Sequence, residues 1–281
     1  MQKTSEYDHI ALELARIAVE AGDVIRITVE RGITQTIKAD GSECSNADLA
    51  AQEFILKRLS KLFSGVDVIA EEQTHTLQVP NRSDAFFLVD PLDGTRNFLS
   101  GGSEFAVNIA LISQHRPLAG VIHAPASGRT WLGGDKALCA LQRNDWEAQL
   151  RPMNVRTSPQ EGMTALASHR RGDPQSVKFL NQFLIAHTVH MSSSIKFGVI
   201  AQGLADLYVR YGPTMEWDTA SGHAILNAAG GALTLLNGDD KTYGYASRGY
   251  HNEAFVAWGS RDTAHEYHAN HSQQSHVFIS S

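Results

Sequence analysis

The sequence DPLDGTRNF, Asp90 to Phe98, follows directly on the apolar run AFFLV of residues 85–89. A short apolar run bounded by turn residues reads as a buried strand, so Asp90 stands where that strand leaves the core. Pro91 lacks the N–H that a sheet ladder needs and is expected to turn the chain. Asp93 adds a second carboxylate. Gly94 permits a backbone path closed to other residues, and Thr95 opens the next segment with a hydroxyl and a backbone N–H. Two carboxylates on one tight turn repel each other and both lose water, which is costly unless a cation lies between them. Hard oxygen ligands at this density suit Mg²⁺, Mn²⁺ or Ca²⁺ rather than zinc. Asp, Pro and Gly are also turn formers, so taken alone the stretch reads equally as an acidic surface turn.

Other acidic residues occupy comparable places. Residues 66–70 form a short apolar strand, and Glu71 and Glu72 follow at once. Adjacent carboxylates at a strand end point to opposite sides, so at most one faces a shared site and the other is solvated or paired with a Lys or Arg. Open α/β architectures bind ligands at strand ends. Further upstream, Ser45 reads as a helix N-cap with Asp48 three residues later, the pattern of a capping box. Asp48 is then either helix-end electrostatics or a neighbour of the acidic loop. Asp218 reads as the N-cap of a helix over residues 219–229.

Composition bounds the function. The chain has 281 residues, 42% apolar and 19% charged, with net charge −6, ordinary for a soluble globular protein. The acidic balance argues against nonspecific nucleic-acid binding, whereas a small anionic substrate remains compatible if metal ions invert the local field. Cys44 and Cys139 are the only cysteines, so no disulfide framework is expected. The polar start MQKTSEYDH has no signal-peptide h-region, and no run reaches the ~20 apolar residues of a membrane span. A cytoplasmic protein fits best.

Working outward, apolar residues Ile10, Leu14, Ile17, Ala21, Val24 and Ile25 recur at helical spacing over residues 7–31. A weak strand at 33–38 and a loop at 39–46 precede a second helix to about residue 63, with Phe54, Ile55, Leu59 and Leu62 inward. Strands at 105–113, 117–124, 129–132 and 137–141 make residues 1–155 an α+β half. The polar stretch 151–162 is the candidate boundary. Residues 156–260 alternate strand and helix, which favours a more parallel, layered half. Residues 261–281 carry spaced His but little apolar content, and read as a polar, flexible tail rather than a metal site.

Three separated motifs, AEE at residues 70–72, DPLDGTRNF at 90–98 and WDTASG at 217–222, give the chain a resemblance to the inositol monophosphatase superfamily of metal-dependent, lithium-sensitive phosphatases. The resemblance covers nearly all of residues 7–260. EFAVNIALI at 104–112, SSIKF at 193–197 and GPTMEWDTAS at 212–221 resemble the bacterial CysQ group, the 3′(2′),5′-bisphosphate nucleotidases. There are departures: Ser45 stands where the family usually has Thr, Glu43–Cys44 where it has Pro–Val, and Ser221 where it has Ala.

The resemblance implies the layered α-β-α-β-α sandwich of the inositol monophosphatase and fructose-bisphosphatase type. It implies two or three Mg²⁺: one on Glu71, Asp90 and the carbonyl of Leu92, a second on Asp90, Asp93 and Asp218, and a third, weaker ion or its water near Asp48. Asp48, Glu71 and Thr95 would be catalytic, with Thr95 and Asp48 holding the attacking water. Glu71, Leu92, Asp93, Gly94, Thr95 and Asp218 would meet the phosphate. Ser168, His169, Arg170, Ser193, Ser194 and Lys196 would meet the nucleotide, although Lys196 by itself reads as a surface helix lysine. The implied reaction is removal of the 3′-phosphate of adenosine 3′,5′-bisphosphate by in-line attack of a metal-activated water, serving nucleotide recycling in sulfur assimilation. An inositol-1-phosphate or sugar phosphatase would share the same core, and a non-catalytic metal or nucleotide sensor is the alternative of another class. The implied partner is the small nucleotide substrate alone, with no nucleic acid and no strong membrane anchor. Peripheral contact with the cytoplasmic face of the inner membrane and a homodimer stay open.

Overall fold

Helix α1 (Glu6–Arg31) forms where the apolar spacing predicts it: Leu14, Ile17, Ala18, Ala21 and Ile25 are buried along one face. Ser5 caps its start by accepting a hydrogen bond from the Asp8 N–H, and Gly32, at φ 105°, ends it. The computed structural model describes residues 5–38, 41–73, 85–169 and 173–277, with side chains to residue 271. Strands β1 (Gln35–Ile37) and β2 (Glu43–Ser45) form an antiparallel hairpin, so part of the stretch expected to be loop pairs as a strand. Helix α2 (Asn46–Leu62) follows directly and buries Ala47, Ala51, Ile55 and Leu59. Leu62, expected inward, lies in the last turn and is 43% exposed.

Among the described residues the larger sheet runs in the order β3 (Asp67–Ala70), β4 (Ala85–Asp93), β5 (Ala106–Ser113), β6 (Arg116–Ala124), β7 (Arg129–Gly133), β8 (Ala137–Ala140), β9 (Arg151–Pro152). Only the β3–β4 pair within it is parallel. The second sheet is built from β10 (Met163–Ala167), β11 (Ile185–His190), β12 (Leu207–Arg210), β13 (Ala232–Leu235) and β14 (Phe255–Trp258). Its order is β11-β10-β12-β14-β13, parallel around β10 and antiparallel around β14.

The remaining helices are α3 (Thr95–Leu99), α4 (Pro174–Leu180), α5 (Ile195–Ala201), α6 (Glu216–Ala229) and α7 (Arg261–Val277). Helices α1 and α2 cover the outer face of the larger sheet, α6 touches both sheets, and α4 and α7 lie on the far side of the smaller one. The result is the expected α-β-α-β-α sandwich, each layer burying the apolar face of the next. Close approach of α6 requires glycine in the facing strands. A Cβ on Gly133 would stand 2.7 Å from the Ile225 backbone, and one on Gly120 would stand 2.9 Å from that of Ser221.

The polar C-terminal segment is helical over its described part rather than a solvated tail. Its few apolar positions suffice: Ala264 is fully buried, and Tyr267 packs on Phe179, Phe183 and Trp258. No helix among the described residues is long and apolar enough to cross a membrane.

Candidate active site

Strand β4 does not stop at Pro91. Asp90 pairs with Asn108 and Asp93 with Ala106, with a register shift between them. A bulge takes up Pro91, which then needs no ladder hydrogen bond. The bulge leaves two carboxylates at one strand end. Asp90 is 1% exposed, and its Oδ1 accepts from the Leu92 N–H at 3.0 Å. Asp93 accepts from the Ser194 N–H at the start of α5, and Ser194 Oγ donates to Asn108 Oδ1 at 2.7 Å. Gly94 then takes a left-handed conformation and opens the five-residue helix α3.

The third carboxylate comes from α6. Asp218 was expected at the N-cap; Met215 holds that position and Asp218 sits at the third helical residue. The helix begins earlier because the Glu216 carboxylate, fully buried, accepts from the Gly244 and Tyr245 N–H groups of a distant loop. From there Asp218 reaches back to accept from the Met215 N–H at 2.8 Å. One carboxylate oxygen each of Asp90, Asp93 and Asp218 lies within 4.8 Å of the others.

Burial, then the charges of Glu71, Asp93 and Asp218, push the Asp90 carboxyl well above the usual range. Burial, then Asp93 and Glu71, do the same to Asp218. Burial also raises Asp93, with Lys196 opposing it. Hard oxygen donors this close, with so much uncompensated negative charge, fit a divalent cation.

A second acidic group adjoins the first. The expected capping box is present: the Ser45 N–H and Oγ donate to Asp48 Oδ2 at 2.9 and 2.5 Å. Asp48 is 1% exposed, and its pKa is raised by burial, which the Ser45 and Thr95 hydrogen bonds oppose. Thr95 Oγ1 stands 3.0 Å from Asp48 Oδ1 and 2.9 Å from the Leu92 carbonyl, so its one proton serves either acceptor in turn. Glu71 and Glu72 lie in a 3₁₀ turn after β3. They were expected to face opposite ways, yet both accept from Lys38 Nζ, at 2.9 and 2.6 Å. The tight turn, unlike an extended strand, lets neighbouring side chains converge. Burial works against the Lys38 ammonium, but Glu71 and Glu72 more than offset it and raise its pKa.

These groups open onto a cavity of about 610 Å³. Glu71, Asp90, Leu92, Asp93, Gly94, Thr95 and Asp218 line it, together with Ser168, His169, Ser193, Ser194 and Lys196. The described residues thus bring the expected residues together, except Asp48, which lies behind Thr95 and does not line the cavity. Arg170 is outside the described residues.

Lys196 is buried rather than a surface lysine, because α5 lies against α6 under the larger sheet. Its Nζ donates to the Ser193 and Met191 carbonyls at 2.7 and 3.2 Å and sits 4.9 Å from the centre of the Tyr208 ring. Burial lowers its pKa to about 8, with Asp93 opposing. His169 Nε2 meets Glu104 Oε2 at 2.7 Å, and the Ser192 N–H donates to the same oxygen at 2.7 Å. Sequence reasoning missed Arg210, whose Nη1 donates to Ser168 Oγ at 2.9 Å on the cavity wall. It is the last residue of β12, whereas the sequence pattern carries that strand on to Tyr211 and so hides Arg210 inside it.

The chain resembles known proteins over most of its length. The chain is 34% identical over 261 residues to the 3′(2′),5′-bisphosphate nucleotidase CysQ of Salmonella typhimurium, covering 89% of this chain and 98% of that one. It is 35% identical over 228 residues to the protein of the same name in Escherichia coli, covering 78% and 87%. The crystal structure of CysQ from Bacteroides thetaiotaomicron, described as a bacterial member of the inositol monophosphatase family, superposes with a TM-score of 0.76 at 27% identity, covering 91% of this chain and 99% of that one. The model of the inositol monophosphatase family matches residues 4–276. With its layered fold, its converging carboxylates and a family match over almost its whole length, the chain belongs to the inositol monophosphatase family.

Proposed function

We propose that this chain is a Mg²⁺-dependent phosphatase that removes the 3′-phosphate of adenosine 3′,5′-bisphosphate, giving AMP and phosphate, and so recycles that nucleotide in sulfur assimilation. The observation that carries the reading is the meeting of Asp90, Asp93 and Asp218 within 4.8 Å beside a hydroxyl–carboxylate pair, Thr95 and Asp48, at 3.0 Å. The names of the CysQ relatives supply the substrate class. Glu71, Asp90 and the Leu92 carbonyl would hold one ion, and Asp90, Asp93 and Asp218 a second. Asp48 would support a third ion or its water. Bound there, divalent ions would neutralise phosphate charge and lower the pKa of a water.

The chain's own residues supply position and proton transfer. Thr95 Oγ1, between two acceptors, orients a water toward phosphorus. Asp48, behind it, is the proton acceptor: as the water gives a proton to Thr95 Oγ1, Thr95 passes its own to Asp48 Oδ1, and the carboxylate becomes a neutral carboxylic acid. The Gly94 and Thr95 N–H groups at the start of α3 face a phosphate, as backbone donors do at phosphate sites. Elsewhere on the cavity wall Arg210 and Lys196 offer positive charge to the second phosphate, His169 offers a ring nitrogen, and Ser168 and Ser194 offer hydroxyls.

The test is a phosphate-release screen with and without Mg²⁺. Release from adenosine 3′,5′-bisphosphate is expected to exceed that from inositol 1-phosphate. The reverse preference would transfer the assignment to a polyol phosphatase, and no release from any phosphate ester would leave a binding protein.

A further inference from the structure

The pocket carboxylates divide into two groups with different counter-charges. Asp90, Asp93 and Asp218 face one another. Glu71, the charge that bears most strongly on Asp90, gives Oε1 to Lys38 Nζ at 2.9 Å, and the same ammonium takes Glu72 Oε1 at 2.6 Å. The Lys38 side chain is 14% exposed and that of Glu71 26%, so this ion pair is partly shielded from solvent. Lys38 directly follows β1, whose partner β2 runs into the Ser45 cap that holds Asp48. The hairpin therefore carries a positive charge onto the carboxylate that Asp90 would share an ion with. An ammonium and a divalent cation both seek the lone pairs of Glu71, and two cations within a few ångströms repel strongly in a partly shielded site.

We propose that Lys38 is a tethered competitor for the ion shared by Glu71 and Asp90. With Lys38 seated on Glu71 and Glu72, the Asp90–Asp93–Asp218 group loads first, and an ion reaches Glu71 only as Lys38 withdraws. This rests on the proposed role of Glu71 as an ion ligand. Linkage requires the converse: filling the Glu71 position weakens the hold on Lys38. The hairpin is thus coupled to ion loading, and the second ion binds more weakly than its carboxylates alone would allow. A merely structural ion pair makes the opposite prediction. If Lys38 only anchors the hairpin, its loss would loosen Glu71 and leave ion binding unchanged or weaker.

Mn²⁺ titration of the full chain, with free Mn²⁺ followed by electron paramagnetic resonance, separates the two. The wild type is expected to show a tighter and a weaker class of site. Lys38→Met keeps most of the side-chain stem and removes the charge. It should tighten the weaker class by about tenfold or more, a usual range for coupled sites, and leave the tighter class unmoved. Lys38→Arg, which keeps the charge, should bind as the wild type does. Adding Glu71→Gln to Lys38→Met should abolish the gain. An unchanged or weakened second class in Lys38→Met overturns the proposal, as does equal tightening in Lys38→Arg. If the wild type binds no Mn²⁺ at all, the ion centre itself is refuted and the competitor with it. Normal wild-type binding that Lys38→Met does not alter refutes the competitor alone.

Discussion

Gly94 shows how one residue sets the chemistry. Its φ of 94° lies where side chains strain the backbone, and a Cβ there would stand 2.9 Å from the Glu104 carbonyl. Gly94→Ala is expected to cost at least ~1 kcal/mol from backbone conformation alone, read by chemical denaturation. It should also lower kcat, since Thr95 moves with it. The Thr95 hydroxyl makes a sharper case. Thr95→Ser retains the oxygen facing Asp48 and should keep most turnover, whereas Thr95→Val should lose about a hundredfold, the scale of a lost proton-transfer partner. Steady-state phosphate release checks both, and equal rates in the two variants would remove Thr95 from the mechanism. Arg210, at the end of β12 on the cavity wall, is expected to act in binding. Arg210→Met should raise KM for the nucleotide bisphosphate more than it lowers kcat.

At the scale of elements, the start of α2 couples folding to the site. Ser45→Ala removes the cap to the Ala47 N–H, at 3.1 Å, and the bond to Asp48. It should cost about 1 kcal/mol of stability and, unlike an ordinary cap deletion, also lower kcat; unchanged kcat would show that Asp48 is held without it. This box was legible in sequence because both partners lie in one turn. The helices and strands were legible for the same reason, from local spacing.

What was illegible depended on distant partners. A bulge at Pro91 needs the register of β5, and periodicity along β4 carries none of it. Helix α6 starts before Asp218 because Glu216 is bonded to Gly244 and Tyr245. Lys38 meets Glu71 and Glu72 across more than thirty residues, and nothing local to any of the three announces it. Lys196 looked like a surface lysine because a lysine on a helix is ordinarily solvated, while the sandwich places α5 inside. Helix α7 looked like a tail because two residues, Ala264 and Tyr267, provide the burial that its polar composition hid.

For the whole molecule, the gathered carboxylates tie stability to pH and to ions. Asp48, Glu71, Asp90, Asp93 and Asp218 all have pKa values raised by burial. A carboxyl raised in the folded state holds its proton more tightly there than in the unfolded chain. Its contribution is therefore full below the ordinary carboxylate pKa and is lost as pH rises through the folded value. Divalent ions should offset that loss where the groups are ionised. Added Mg²⁺ is thus expected to raise Tm more at about pH 7.5 than at about pH 5.5, and equal shifts in thermal melts would argue against ion binding by these groups. The most direct test of the ion-dependent chemistry is phosphate release from adenosine 3′,5′-bisphosphate by the wild type and Asp93→Asn, each with Mg²⁺ and with a chelator. The arrangement of the site predicts release only with Mg²⁺, and a loss of at least about a hundredfold in Asp93→Asn; release that survives chelation, or a variant that turns over at the wild-type rate, would contradict it.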